Sequence, residues 1–376
     1  MEYSIISKSM VRGNKTLRRN QKVAKKFYGK VRRQGPKLRI QKLYDVNNVG
    51  FVDLTGENQV KQTGEMSLGL TADGLIKLLR KKELTGLSGN GFSTADKLEE
   101  FSRNNSAKSV LILNSVECDP GLAHDEWLLK NRFTEVKTGV EVLRNSISFQ
   151  SILLATKLPL SLKEPMLQVV QVPNRYPMGY EKTLVKILLG EDLSEDEYPA
   201  KRGILVLNIQ TVLAIGEIVG KGKVLDSRYL TVEDLTSGKV VVVRAKLGMD
   251  VKEVIAKALP KASYEAIYVG EGAMNGHLLK EAEKISAVTN YIAYGKAPDY
   301  DTASKCKGCG GCSAKCPMQI NVKKIVKKVE GGDRKGLKEL HPERCIGCNS
   351  CTYICSAGKN LKELIASVKE QCAIAQ

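Results

Sequence analysis

The chain has 376 residues, of which 42% are hydrophobic and 27% charged. This balance is globular, with room for two or three packed cores at about 150 residues each, and it excludes wholesale disorder. Its 59 Lys and Arg against 41 Asp and Glu give a formal charge of +18, and its longest charge-free apolar stretch, 203–216, has 14 residues, short of the roughly 20 that a spanning helix needs.

The first residues, MEYSIISKSMVRGNK, lack the apolar stretch of a secretory signal, so a cytoplasmic location is expected. Residues 1–43 hold 14 basic residues and a single acid, Glu2. Such an arm can neutralise phosphates, dock on an acidic protein or lie on an anionic membrane surface. The blander reading is a solvated segment that folds only against a partner. Only Phe27 and Tyr28 stand near its centre to stack bases, which argues against nucleic acid as the partner.

Helical spacing begins at 70–82 (LTADGLIKLLRKK) and runs into the glycine-rich turn TGLSGNGFSTADKL, after which DKLEEFSRN continues as a second helix. SVLILN (109–114) is short, apolar and polar-bounded, as a buried parallel strand is, and it ends at the loop SVECDPG. Further strands are expected at 166–172 and 203–208. The helices DEWLLKNRFTEVKTGVEVLRN and EKTLVKILLG lie between the strands, so the elements alternate as in an α/β layered domain over 65–225. From 226 to 298 the short strands KVVVVRA and AIYVG flank the helix DVKEVIAKAL, a small mixed α+β module. The tail from 299 holds the helices INVKKIVKKVE and LKELIASVKEQCAIAQ, and no internal repeat is evident beyond a duplicated cysteine motif.

Eight of the ten cysteines fall between 306 and 355. Cys306, Cys309, Cys312 and Cys316 form one CxxCxxCxxxC motif, and Cys345, Cys348, Cys351 and Cys355 form the other. In two-cluster ferredoxins the fourth cysteine of each run ligates the other cluster. That pattern assigns Cys306, Cys309, Cys312 and Cys355 to one [4Fe–4S] cluster, and Cys345, Cys348, Cys351 and Cys316 to a second. Zinc is the competing reading, but zinc sites pair two CxxC halves across a longer gap and do not use a third cysteine two residues on. Pro317 follows the first quartet and Ser356 the second. Cys118 and Cys372 have no partner spacing and read as ordinary thiols. His124, His277 and His341 read as structural or surface residues, with a minor substrate role open for His124.

Clusters beside a larger α/β domain call for a converter between hydride and single-electron chemistry, usually a flavin. Asn114-Ser-Val-Glu117-Cys-Asp119-Pro-Gly121 resembles the NxxExEP loop of the Rnf complex C-subunit group. Tyr176-Pro-Met-Gly179-Tyr-Glu181-Lys182 resembles that group's YPxGGEK, and Asn208-Ile-Gln210-Thr211 its NVxT. Relatives of the group are the NADH- and FMN-binding subunit of respiratory complex I, the cobalamin reductase of propanediol utilisation and the proline-reductase-associated electron-transfer protein.

The resemblance covers roughly residues 70–360. It implies a Rossmann-like α/β flavin domain (65–225), a β-grasp ligand-binding module (226–298) and an α-helical two-cluster ferredoxin-like domain (299–376). Residues 1–64 then form a basic arm or a reduced sandwich domain. FMN is expected on Gly86, Gly89, Gly91, Lys97, Asn114, Glu117, Asn208 and Thr211, with nicotinamide of NAD(H) near Phe92, Gly179 and Glu181. The implied function is an NADH:acceptor oxidoreductase subunit of anaerobic metabolism. It passes electrons through FMN and two [4Fe–4S] clusters to a partner in a multi-subunit complex or to an acidic carrier such as ferredoxin. Such a protein is cytoplasmic or held at the membrane periphery by its partner, and does not bind nucleic acid. The sequence departs from the group's GxGGAGFPT at Ser88, Asn90 and Ser93, and from YPxGGEK at Tyr180. These residues put bulk where cofactors approach backbone, and they support a second reading in which FMN or NAD binding is lost and the clusters alone conduct.

Overall fold

A computed structural model describes residues 49–56, 69–104, 109–117, 119–160, 164, 167–174, 176–194, 197–260, 266–295 and 305–374. The basic arm and Cys118 lie outside the described residues. The chain divides into two compact units, whose described parts are residues 49–295 and 305–374.

The first unit carries two sheets. Strands β2 (Val110–Ser115), β3 (Ser151–Thr156), β4 (Gln168–Gln171) and β5 (Ile204–Asn208) form a fully parallel sheet in the order β4-β3-β2-β5. Every residue of β2 is buried. This is why its sequence is an unbroken apolar run and not an alternating one. The helices of this layer are α1 (Ala72–Lys81), α2 (Thr94–Arg103), α3 (His124–Asn131), α4 (Phe133–Ser146), α5 (Glu181–Leu189) and α6 (Ile209–Lys221). The single helix expected over 125–145 is two, because Arg132 leaves the helical region at φ −132°, ψ 27° and serves as the end of α3 and the start of α4. Its guanidinium lies over the Phe51 ring, 5.9 Å from the centroid.

The second sheet is six-stranded and mixed: β1 (Gly50–Asp53), β6 (Ser227–Asp234), β7 (Lys239–Lys246), β8 (Ala266–Gly270), β9 (Gly276–Leu278) and β10 (Tyr291–Gly295), in the order β1-β7-β6-β10-β8-β9. A β6–β7 hairpin, the helix α7 (Val251–Ala258) and the return of β10 parallel to β6 make the β-grasp arrangement. Residues 50–53, in the segment expected as a basic arm or a reduced sandwich domain, pair parallel with β7. Phe51 explains the pairing: it stacks on Trp127 of α3 at 4.4 Å and on Tyr229 of β6 at 6.2 Å, which makes this segment part of the core.

Segments 65–225 and 226–298 share a hydrophobic core, since Tyr229, Val240 and Val242 pack in the same cluster as Leu75, Trp127 and Leu205. They therefore build one compact unit. Helices α4 and α6 approach so closely that a Cβ on Gly139 would lie 1.9 Å from the Val212 carbonyl oxygen, and one on Gly216 would lie 2.8 Å from the Gly139 nitrogen.

The second unit is helical: α8 (Gly311–Ala314), α9 (Val322–Glu330), α10 (Ser350–Tyr353) and α11 (Leu361–Ile374) surround a small core of Ile320, Ile325, Val326, Leu361 and Ile365. The repeat extends beyond the cysteines at a constant offset of 39 residues. Lys323 N donates to Ser313 Oγ at 2.9 Å and Lys362 N to Thr352 Oγ1 at 2.8 Å, while Asn321 and Asn360 cap the two long helices through Lys324 N and Glu363 N. Gly310 and Asn349, at equivalent places, both have φ above +20°. Only the cysteines kept one-letter identity strongly enough to be read as a repeat; the helices share polar roles and apolar spacing instead. Among the described residues no helix is long and apolar enough to cross a membrane.

The α4–α6 crossing has no space for a methyl group against backbone. Gly139→Ala is expected to lower stability by about 3 kcal/mol or more, read as a lower urea midpoint. An unchanged midpoint would rule out the close helix approach.

Candidate functional site

The parallel sheet reverses its strand order between β2 and β5, and ligands of open α/β sheets bind outside the carboxyl ends of the strands at such a point. Asn114 and Asn208 are the register partners there. Asn114 Nδ2 donates to the Gly179 carbonyl at 2.9 Å and its Oδ1 accepts from Val116 N. Asn208 Nδ2 donates to Asp125 Oδ2 at 2.6 Å while its Oδ1 caps α6 through Gln210 N. Lys97 reaches in from α2, donating to the Val206 carbonyl at 3.0 Å and pairing with Glu181 Oε1 at 2.5 Å. Three sequence-distant motifs thus converge on one sheet edge.

The glycine-rich turn is anchored from below. Leu87 N donates to Thr211 Oγ1 at 2.9 Å, and Gly86 N to the Phe92 carbonyl at 2.7 Å. Gly89 (φ 117°) and Gly91 (φ 61°) occupy backbone conformations that glycine alone adopts readily. The departing residues have local roles: Ser88 Oγ donates to Asn90 Oδ1, and Ser93 caps α2 by accepting from Asp96 N. Tyr180 precedes α5 at φ −67°, an ordinary conformation that needs no glycine. Phe92 is 49% exposed and stacks with Tyr198, itself 59% exposed.

Behind this edge lies a buried layer of charge. Glu117 accepts from Asp125 N at 2.7 Å, supplying the cap that Ala123 cannot give α3. Burial first, then Glu126 and Asp125, push its carboxyl well above the usual range. Burial likewise pushes Asp125 up to about 7, and its Oδ1 is buried without a hydrogen-bond partner. The Ser115 hydroxyl at the end of β2 is also buried and unpaired. His124 is buried against Thr231 at 3.0 Å and held well below the usual histidine range by burial, then by Arg228.

Sequence reading missed Arg228 and gave Asp119, named only as part of the 114–121 loop, no role. Arg228 is fully buried and donates to the carbonyls of Leu87 and Ala287 and to Asn290 Oδ1, tying the glycine turn to the loop before β10. Burial lowers it to about 9. Asp119 is buried beside Asn275 and packed so tightly that a Cβ on Gly272 would overlap it. A charged residue at an inward strand position was the available signal for Arg228. His277 and His341 pair with Glu283 and Glu343 at 2.9 Å.

In the second unit Cys306, Cys309, Cys312 and Cys355 line one cleft, together with Lys307, Lys323 and Lys359. Cys316 lies within electrostatic reach of Cys345, Cys348 and Cys351. Among the described residues no three His, Cys, Asp or Glu converge on one metal ion. Burial, then Cys348 and Cys345, push the Cys351 thiol up to about 12. Glu330 holds the first loop, accepting from Cys306 N at 3.2 Å and from Lys359 at 3.0 Å.

Comparison with known proteins agrees with this geometry. Residues 79–217 match the Nuo51 FMN-binding domain and residues 298–363 a 4Fe-4S dicluster domain. FMN and [4Fe–4S] centres are accordingly this chain's cofactors, and the whole defines an iron–sulfur electron-transfer protein with a flavin domain. The C subunit of the ion-translocating oxidoreductase complex of Pseudomonas aeruginosa is 30% identical over 260 residues, 65% of this chain and 33% of that protein. Its Buchnera aphidicola counterpart is 27% identical over 65% of this chain and 54% of its own length. The chain is similar to these subunits and spans about a third of the length of the Pseudomonas one. The crystal structure of an NAD+-reducing [NiFe]-hydrogenase in the air-oxidised state shares the fold, with a TM-score of 0.56 at 18% identity over 80% of this chain and 63% of that one.

The buried carboxylates predict a pH dependence. Asp125 binds its proton more tightly folded than unfolded, so its contribution is fully present below about pH 4 and is lost as pH rises through about 7. His124, depressed by burial, acts in the opposite direction below about 6.5. Asp125→Asn is expected to remove part of the loss between pH 5 and 8, on the order of 3 kcal/mol, in urea unfolding. Parallel curves for variant and parent would refute the assignment.

Proposed function

We propose that the chain takes electrons from NADH at the β2–β5 edge and passes them singly through two [4Fe–4S] clusters to a partner redox protein of a multi-subunit complex. The observation that carries this reading is the in-register pair Asn114 and Asn208 at the strand-order reversal, with Lys97 beside it. Bound FMN supplies the exchange between two-electron hydride chemistry and one-electron steps.

In this reading the amides of the Gly86, Gly89 and Gly91 turn, with Lys97, Asn114 and Asn208, hold the flavin. The amino end of α6 adds a favourable dipole for its anionic group. Glu117 and Thr211 act from behind, the first by capping α3 and the second by holding Leu87 N. Phe92, Gly179 and Glu181 flank the nicotinamide, and the Lys97–Glu181 pair joins the two subsites. Asp125 Oδ1 and the Ser115 hydroxyl are buried polar atoms that a bound group can satisfy.

Cys306, Cys309, Cys312 and Cys355 hold one cluster and Cys345, Cys348, Cys351 and Cys316 the other. The cleft lined by the first set and the proximity of Cys316 to the second support this crossed arrangement. The lysines around the first cleft favour an acidic carrier such as ferredoxin, with docking that weakens as salt rises. The protein then works in the cytoplasm or at the membrane periphery, bound to its complex.

A second reading has one specific observation in its favour. The polar groups expected on the flavin bond one another: Lys97 to Glu181, Asn114 to Gly179 and Asn208 to Asp125. If these bonds persist, the chain conducts through its clusters alone.

Anaerobic purification, iron and acid-released flavin assays, and NADH addition under absorbance separate the readings. About eight irons, one FMN and bleaching by NADH support the dehydrogenase; eight irons without flavin or NADH response leave the conduit. For ligation, Cys355→Ser is expected to change the spectrum of the cluster that Cys306→Ser also changes, and Cys316→Ser that of the other. Cys316→Ser and Cys306→Ser altering the same cluster would overturn the crossing.

A further inference from the structure

The two cysteine motifs repeat each other in backbone and in helix caps, yet they differ in how a hydroxyl reaches the sulfurs. Ser356 Oγ donates to Cys309 Sγ at 3.6 Å, from the opposite motif. The equivalent of Ser356 is Pro317, which has no hydroxyl. Cys348, the equivalent of Cys309, instead donates its thiol to Ser350 Oγ at 3.5 Å within its own motif; as a cluster-bound thiolate its sulfur has no proton and accepts from that hydroxyl instead, and the equivalent of Ser350 is Gly311. The second cysteine of each motif therefore has one serine hydroxyl against its sulfur, and neither serine has a counterpart in the repeat.

The Ser356 contact is held by the main chain around it. Lys307 Nζ donates to the Ser356 carbonyl at 2.9 Å, which binds the loop carrying Cys309 to residue 356 independently of the serine side chain. Ser356 also lines the cleft that the Cys306, Cys309, Cys312 and Cys355 sulfurs share. An O–H aimed at a ligand sulfur stabilises the reduced, more negative cluster more than the oxidised one, and hydrogen bonds to sulfur are among the factors that set cluster potentials.

We propose that Ser356, through Cys309, and Ser350, through Cys348, are positioning residues that raise the reduction potentials of the two clusters, one serine for each. This rests on the two-cluster reading above and adds to it a residue-specific control of where each electron resides. Replacing the proline of the first motif by serine in the second leaves the ligands unchanged and alters the energy of one cluster.

The test is a redox titration of the full-length, anaerobically loaded chain followed by electron paramagnetic resonance, after iron analysis. Ser356→Ala is expected to lower one cluster potential and leave the other, at unchanged iron content. Ser350→Ala is expected to lower the other, and Ser356→Thr, which keeps the hydroxyl, to retain the parent value. Should Ser356→Ala lose iron, Ser356→Pro decides, since proline is the residue that the first motif carries at this position. Loaded variants with both potentials unchanged, or with both lowered together, would overturn the proposal. A parent protein with about four irons or one cluster signal would instead overturn the two-cluster reading on which it rests.

Discussion

The parallel pairing of β2 with β5 is the constraint on which the flavin-binding half depends. It reverses the strand order, sets Asn114 opposite Asn208 and opens a crevice at the carboxyl ends of both strands. From Asn208 the chain turns directly into α6, whose first turn carries Thr211, and Thr211 in turn holds Leu87 of the glycine-rich turn. Asn114 reaches the other way to Gly179, just before α5. A one-residue slip of β5 would move its buried side chains to the opposite face and separate these partners.

The second determinant is the charge buried behind that edge. Glu117, Asp125 and Arg228 are taken out of water, which is costly unless each finds partners. Glu117 finds the amino end of α3, Asp125 finds Asn208, and Arg228 finds carbonyls from the glycine turn and from the loop before β10. The Arg228–Leu87 bond crosses between the parallel sheet layer and the mixed sheet, so the two share a polar link as well as a hydrophobic core.

In the cluster-bearing unit the governing feature is a duplicated pattern, cysteine loop followed by a capped helix. Ser313 and Thr352 each accept from the helix that follows, and Asn321 and Asn360 cap it. The duplication gives each half the same scaffold, on which single substitutions act. Pro317 against Ser356 and Gly311 against Ser350 are such substitutions, and both change what faces a sulfur.

The sequence by itself determined the cysteine ligand chemistry, because CxxCxxCxxxC is a local spacing, and it determined the β2 and β5 strands, because burial on both faces demands an unbroken apolar run. It also marked the loop 114–121, the turn 86–91 and Asn208-Ile-Gln210-Thr211 through their resemblance to the Rnf C-subunit group. Tertiary structure alone decided which of those residues meet. Glu117 and Thr211 stand behind the edge as a helix cap and a turn anchor, roles that depend on Asp125 and Leu87, 8 and 124 residues away. Arg228 was passed over because its local signal, a charge at an inward strand position, does not reveal partners at residues 87, 287 and 290. The strand at 50–53 escaped for the same reason: its stability comes from Trp127 and Tyr229 stacking on Phe51. Short-range spacing survives in sequence, whereas contacts that close long loops are set only when the whole core packs.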